Sequence, residues 1–174
     1  MSGSDLFAAY DPRPRHAVWP GSVRLARPSD IETVAALSVT RDGGERAERA
    51  ERLRRHIDAE TSALHVGTID DGVVGFGLIR ELTFDEGSPP DGLYLGGVVI
   101  AEAWRRQGLA YALTAARLEW ARERSDVVWY FANARNRASI ALHDRFGFEE
   151  HTRDVRVPGV TFTGGEGVLF RLTL

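Results

Sequence analysis

Apolar runs and amphipathic segments alternate along this sequence, and glycine, proline and aspartate mark the boundaries between them. Short apolar runs predict strands, and apolar residues that recur every three or four positions predict helices. The first helix is expected to follow a cap at Ser29 or Asp30 and to end at the Asp-Gly-Gly break at 42–44. The predicted strands cover 23–25, 63–69, 73–82, 93–100, 127–132, 152–157 and 167–172, and the other predicted helices cover 45–59, 111–124 and 136–146.

The order of these elements is β-α-α-β-β-β-α-β-α-β-β. It predicts an α/β fold, with a sheet of mixed strand direction and helices on both of its faces. The turn Asp70-Asp71-Gly72 between two apolar runs predicts a β-hairpin. Residues 1–20 are rich in glycine, serine, proline and arginine, so an irregular arm is expected there, followed by a single domain over 21–174.

Composition narrows the class of protein. The chain is 43% hydrophobic and 27% charged, with a net charge of −3, which is typical of a globular protein and unlike a basic nucleic-acid binder. It contains no cysteine, which excludes disulfides, thiolate catalysis and cysteine metal sites. No apolar run approaches the roughly 18 residues of a membrane span, and no secretory signal is apparent, so a cytoplasmic location without a membrane partner is expected.

The most informative segment lies between the strand at 93–100 and the helix that follows it. It reads Arg105-Arg106-Gln107-Gly108-Leu109-Ala110. Backbone N–H groups and the positive end of the helix dipole meet where a helix begins, and guanidinium groups add bidentate donors for phosphate. The loop therefore predicts an anion site for a diphosphate, which a side chain at Gly108 would enter. A helix start with two surface arginines is the simpler alternative.

A second segment follows the strand at 127–132. It reads Asn133-Ala134-Arg135-Asn136-Arg137-Ala138-Ser139-Ile140-Ala141-Leu142-His143-Asp144-Arg145-Phe146-Gly147-Phe148. The strand ends in an asparagine, a second asparagine is placed to cap a helix, and the helix is expected to stop at Gly-Phe.

Together the two segments resemble the GNAT acetyltransferase superfamily. The diphosphate motif of that family is Q/R-x-x-G-x-G/A, and Arg105, Gly108 and Ala110 occupy its fixed places. The later family motif runs N-x-x-A-x-x-L-Y-x-x-x-G-F. Its matches here are Asn136, Leu142, Gly147 and Phe148, with Ser139 at the position of the small residue.

The resemblance implies acetyl-CoA as the donor and a mixed, largely antiparallel sheet with a central splayed pair of parallel strands. The pantetheine arm of coenzyme A would lie along the backbone of Val98, Val99 and Ile100, and a backbone N–H near Val98 or Val99 would stabilise the developing oxyanion. The amine would attack the thioester where 93–100 and 127–133 separate. The residues assigned to coenzyme A are Val98, Val99, Ile100, Arg105, Arg106, Gln107, Gly108, Leu109, Ala110, Asn133, Asn136 and Ser139.

One departure from the family concerns the proton for the leaving thiolate. Relatives often use a tyrosine, whereas this chain has His143 at that position. A histidine can donate a proton at neutral pH, so we predict that His143 is catalytic. A histidine on the helix surface that only packs or meets solvent is the alternative.

A second departure concerns the base. An amine must lose a proton before it attacks, and many relatives carry a carboxylate on the strand before the diphosphate loop. Here that strand has Tyr94 and a Gly96-Gly97 pair, which predicts either a bulge near a ligand or a packing contact. The candidate substrate residues are Glu81, Asp85, Glu86, Asp91 and Tyr94. These carboxylates form either an acidic mouth that attracts a cation or an ordinary solvated loop.

The predicted reaction is acetylation of a small primary amine, such as a polyamine, an aminosugar or an amine antibiotic. Two alternatives stay open: acetylation of a protein amino terminus or lysine, and a non-catalytic sensor of acyl-CoA. No metal and no nucleic-acid partner is expected. Relatives often dimerise through their last strands, so by analogy a homodimer is compatible with the sequence.

Overall fold

The computed structural model describes Phe7, Tyr10 and residues 17–85 and 89–174. Within this part of the chain the helices are α1 (Ile31–Asp42), α2 (Arg46–Arg54), α3 (Leu109–Arg122) and α4 (Arg137–Asp144). The strands there are β1 (Ser22–Leu25), β2 (Ser62–Ile69), β3 (Gly72–Leu82), β4 (Gly92–Ile100), β5 (Val127–Asn133), β6 (Glu149–Arg153) and β7 (Gly167–Thr173).

The described strands form one mixed sheet in the order β1-β2-β3-β4-β5-β7-β6. Its recorded pairs are antiparallel except for β4 with β5, which run parallel through Leu93↔Val128 and Tyr94↔Trp129. The predicted α/β class, with a largely antiparallel sheet and a central parallel pair, is confirmed.

The chain divides into two compact units. The first-core unit comprises Arg15–Glu81 and Leu95–Arg124. Its strands β1, β2 and β3 support two clusters of buried side chains, one beneath α1 and α2 and one beneath the start of α3. Burial of these apolar side chains supplies the main favourable free energy of its folding.

The second-core unit comprises Met1–Pro14, Leu82–Tyr94 and Ser125–Leu174. Here β5 and β7 pair over their full lengths, from Val127↔Thr173 to Asn133↔Gly167. An aromatic cluster around Tyr94 and Trp129 forms its core. The prediction of one domain over 21–174 stays a prediction, and most of the predicted arm lies outside the described residues.

Turn chemistry explains several element boundaries. Asp70 and Asp71 both have positive φ values, of 46° and 64°, which is the backbone of a tight hairpin turn and explains the direct return of β2 into β3. Helix α1 ends at Gly43, whose φ is 70°. The helix predicted over 45–59 is shorter in the structure, where α2 ends at Arg54. Asp58, within the predicted range, has a φ of 55°, which is not an α-helical value.

The strand predicted at 152–157 is wrong in position. The observed strand β6 covers Glu149–Arg153, and all five of its residues are exposed. Val155 and Val157 are buried in the core of this unit, but they lie in an irregular segment after the strand. The alternation of Val155 and Val157 with a polar residue predicted a strand there, whereas the observed strand β6 has no buried apolar residue. Across the described residues, no helix is both long and apolar enough to cross a bilayer.

Candidate active site

The start of α3 has the backbone of an anion site. Gly108, the residue before the helix, lies in the left-handed region with a φ of 91°, and Arg106 has a φ of 64°. No side-chain hydrogen bond caps the helix among the described residues, and its first turn contains no acidic side chain. The helix dipole and the first-turn N–H groups therefore favour a negative group at this end.

Side chains of the loop brace it against the strand that precedes it. The Arg105 Nε donates to Ile100 O at 3.2 Å, and the Gln107 Nε2 donates to Ala103 O at 3.0 Å. Leu109 is buried in one cluster with Val98 and Ile100. The first-core unit thus brings together the strand backbone and the loop that were predicted to hold coenzyme A.

Gly108 is required by the backbone rather than by open space for a ligand. A Cβ at this position would collide with Ala17 O and would lie 2.9 Å from Trp19 N. The expectation that a side chain here enters the diphosphate site needs this correction, because the side chain would first meet the chain at 17–19. Ala110, one residue into the helix, is half-buried and small. The loop fits a diphosphate in charge, in donor direction and in the small side chain at its first turn.

Arg41 lies over β4 at the residues predicted to face the thioester. Its Nη1 is 3.4 Å from Val98 O, and a Cβ on Gly97 would lie 2.8 Å from the same nitrogen. The rest of the Arg41 guanidinium makes a bidentate pair with Asp42, at 2.6 and 2.8 Å. Burial acts to raise the pKa of Asp42, but the hydrogen bond and charge of Arg41, together with the charge of Arg49, leave that pKa below its ordinary value.

In the second-core unit, the asparagines use their polar atoms inside the protein. Asn136 Oδ1 accepts from Ser139 N at 3.2 Å and caps α4, as its position in the sequence predicts. Asn133 Oδ1 accepts from Arg135 N at 2.9 Å, and its Nδ2 donates to Thr163 O at 3.2 Å. Asn133 therefore ties the end of β5 to the segment before β7.

His143 lies on the buried face of α4 and is 5% exposed. Its Nδ1 is 2.8 Å from Ser139 O and 3.5 Å from the Ser139 hydroxyl. A carbonyl only accepts, so Nδ1 carries a proton and Nε2 is the ring nitrogen that can gain one. This excludes the alternative of a solvent-exposed surface histidine. The catalytic role of His143 stays a prediction.

The predicted acidic residues have different surroundings. Asp85 and Asp91 are exposed, and Asp91 Oδ1 accepts from Phe84 N at 2.8 Å, so one of them also stabilises the loop. Glu81 is exposed near the end of β3, and Glu86 lies outside the described residues. Tyr94 is 1% exposed and donates from its hydroxyl to Pro90 O at 2.6 Å. Burial first, and Asp91 second, raise the pKa of Tyr94.

The sequence interpretation missed Arg117, which is fully buried in the first-core unit. Its spacing was nevertheless a signal, since Leu109, Leu113, Arg117 and Ala121 follow one another at intervals of four residues, and all four are buried.

The comparisons with known proteins agree with this geometry. The sequence profile described as Acetyltransferase (GNAT) family matches residues 31–148. Among curated proteins, none matches the chain in sequence.

Solved structures share the fold at low sequence identity. A ribosomal-protein-alanine N-acetyltransferase from Brucella melitensis is 24% identical with a TM-score of 0.70, over 88% of this chain and 99% of the other. An acetyltransferase of the GNAT family from Streptococcus pneumoniae is 18% identical with a TM-score of 0.68, over the same shares of 88% and 99%. Arabidopsis thaliana NAA60, solved in complex with acetyl-CoA, is 18% identical with a TM-score of 0.65, over 88% and 98%.

Proposed function

The chain belongs to the acetyltransferase (GNAT) family, and we propose that it transfers the acetyl group of acetyl-CoA to a primary amine of a small molecule. Acetyl-CoA is the donor of this family. The observation that carries the donor assignment is the start of α3. There a left-handed Gly108, an uncapped first turn and two arginines provide donors and positive charge for a diphosphate.

Donor residues are proposed in each unit separately. In the first-core unit, the backbone of Val98, Val99 and Ile100 would hold the pantetheine arm, and the loop 105–110 would hold the diphosphate. In the second-core unit we propose Asn133, Asn136 and Ser139 as further contacts. The internal hydrogen bonds of both asparagine side chains favour contacts through neighbouring backbone atoms.

Bound acetyl-CoA supplies a thioester carbonyl that a neutral amine attacks. The amine nitrogen forms a bond to the acetyl carbon, the bond from carbon to sulfur breaks, and the amine loses a proton. The proton that the amine loses passes, directly or through water, to His143 Nε2, the ring nitrogen that can gain one, and we assign to Nε2 its delivery to the thiolate that leaves. A backbone N–H of Val98 or Val99 would stabilise the negative charge that develops on the carbonyl oxygen.

Exposed carboxylates support an acceptor with positive charge. Asp85 and Asp91 lie between β3 and β4 in the sequence and are open to solvent. A concentration of negative charge raises the local concentration of cationic substrates. Polyamines, aminosugars and amine antibiotics are therefore the small molecules that we propose first, in a cytoplasmic setting.

A second candidate is acetylation of a protein amino terminus. It is favoured by the Brucella melitensis neighbour, whose described activity is on a ribosomal-protein alanine. Release of coenzyme A should be measured with spermidine, an aminoglycoside, a peptide that begins with alanine and a lysine peptide whose own amino terminus is blocked. Turnover confined to the small amines supports the first proposal, and turnover confined to the peptides contradicts it. Binding of acetyl-CoA without turnover on any acceptor would instead indicate an acyl-CoA sensor.

A further inference from the structure

Arg117 is a buried cation that bridges two strands of the first-core unit. Its Nη1 donates to Leu78 O on β3 at 3.1 Å and to Gly96 O on β4 at 2.8 Å. Its Nε donates to Leu113 O at 3.1 Å, and its Nη2 donates to the Thr114 hydroxyl at 2.9 Å. The Arg117 side chain is 0% exposed. All four of these acceptors are neutral, so none of these hydrogen bonds pairs the buried charge with a carboxylate.

Two neighbours of Arg117, Gly77 and His65, show how the buried guanidinium is accommodated. A Cβ on Gly77 would lie 3.0 Å from the Arg117 Nε, so the glycine leaves the space that the guanidinium fills. His65, the partner of Gly77 across β2 and β3, is kept neutral, because burial and the charge of Arg117 lower its pKa to about 4. Burial lowers the pKa of Arg117 itself to about 9, which leaves it charged at neutral pH.

The hydrogen bond from Arg117 reaches β4 at Gly96, close in sequence to Val98 and Val99, which are proposed to face the thioester. Gly96 comes so close to β3 that a Cβ would lie 3.2 Å from Leu78 O. The hydrogen bond to Gly96 O holds the β4 backbone immediately before the peptide groups of Gly97, Val98 and Val99.

A buried charge without a counterion is costly, and a neutral side chain would fill the same volume at a lower cost. We propose that Arg117 is a positioning residue for acetyl transfer: it bridges Leu78 O and Gly96 O and so fixes the part of the β4 backbone from which the Val98 and Val99 N–H groups would reach the thioester oxygen. Its positive charge, next to Gly96 O, adds to the stabilisation of that oxygen. This inference rests on the proposed function.

The test separates binding from chemistry. Arg117→Gln and Arg117→Lys should be compared with wild type for coenzyme A affinity by calorimetry, for kcat with the best amine, and for unfolding in urea. We expect Arg117→Gln to bind coenzyme A within about threefold of wild type, while kcat falls by about tenfold or more, which corresponds to ~1.4 kcal/mol in the barrier. Arg117→Lys keeps the charge and should recover part of that loss. The matched control is Arg122→Gln, an exposed arginine of the same helix, which should leave both quantities unchanged.

A folded Arg117→Gln protein with wild-type kcat would overturn the proposal, and so would a fall in kcat that is matched by the loss of coenzyme A affinity. If neither Arg117 variant unfolds cooperatively, Gly77→Ala decides, since its Cβ, 3.0 Å from the Arg117 Nε, forces the guanidinium to shift by a few tenths of an ångström while Arg117 is retained. Unchanged kcat in Gly77→Ala then overturns the proposal, and lower kcat with retained affinity supports it. If wild type turns over no amine, the proposed function fails by itself. The same comparison is then made on the hydrolysis of acetyl-CoA, which develops the same charge on the oxygen.

Discussion

The rings of Tyr130 and His143 stack on each other, with centroids 4.0 Å apart and planes inclined by 18°. Phe148 meets both rings edge-on, at 5.0 Å from Tyr130 and 5.4 Å from His143. The imidazole is thus held in one orientation by packing and by the bond from Nδ1 to Ser139 O. A fixed ring suits a group that must deliver a proton to one place, although the stack alone would also suit a purely structural histidine.

We expect His143→Phe to separate these two roles. Phenylalanine retains the ring stack on Tyr130 but has no proton to donate, so kcat should fall by roughly 10²-fold while acetyl-CoA affinity stays within about threefold. His143→Tyr supplies the phenol that relatives use and should recover much of the activity. Steady-state kinetics and calorimetry on the two variants give the answer. Wild-type kcat in the phenylalanine variant would remove His143 from the mechanism.

Charge at the first turn of α3 should control donor binding. Ala110→Glu places a carboxylate where the diphosphate is proposed to lie, so we expect acetyl-CoA affinity to fall by about tenfold or more. The fold should not suffer, because an acidic residue in the first turn of a helix stabilises it by about 0.3–1 kcal/mol.

The matched control is Ala110→Gln, which has the same size and no charge. It should lose much less affinity than the glutamate variant in a calorimetric titration with coenzyme A. An equal loss in both variants would show that the effect is steric, and it would contradict the assignment of an anion site.

His65 should make stability depend on pH. Its pKa is about 4 in the folded protein, mainly through burial and secondarily through Arg117, against an ordinary value of 6.5. Below pH ~6.5 the unfolded chain therefore binds a proton that the folded chain does not, and stability falls as the pH decreases toward the folded pKa. Between about pH 7 and pH 4 this should remove about 3 kcal/mol from the free energy of unfolding.

Urea unfolding of wild type and His65→Leu across this pH range isolates the contribution. The leucine variant lacks the titrating group, so it should become more stable relative to wild type as the pH falls. Parallel stability curves for the two proteins would contradict the low pKa of His65.

The hydrophobic pattern predicted most of the fold because most elements bury a regular face. Every residue of the run from Val127 to Ala132 is buried or half-buried, and the observed strand extends it by a single residue. Local chemistry was equally informative at the hairpin, where two aspartates and a glycine suit a turn with positive φ. By contrast, β6 has no buried face, so no alternation of apolar and polar residues marks it.

The site was predictable where it depends on the backbone and not where it depends on contacts distant in sequence. A glycine before a helix predicts the left-handed turn at Gly108. Nothing near Arg117 in the sequence shows that Gly77, forty positions earlier, leaves the space for its guanidinium. The same holds for Arg41 over Val98 O, since the two residues are 57 positions apart.

The cap of α4 gives a last prediction, on stability and donor binding together. Asn136→Asp keeps an oxygen that accepts from Ser139 N, whereas Asn136→Ala leaves that N–H without its cap. We expect the alanine variant to lose about 1 kcal/mol of unfolding free energy and the aspartate variant to lose little. Coenzyme A affinity, measured in parallel, should follow the integrity of the cap if the helix start binds the donor through its backbone. Weaker binding in the stable aspartate variant than in the alanine variant would instead indicate that the new charge repels the phosphates.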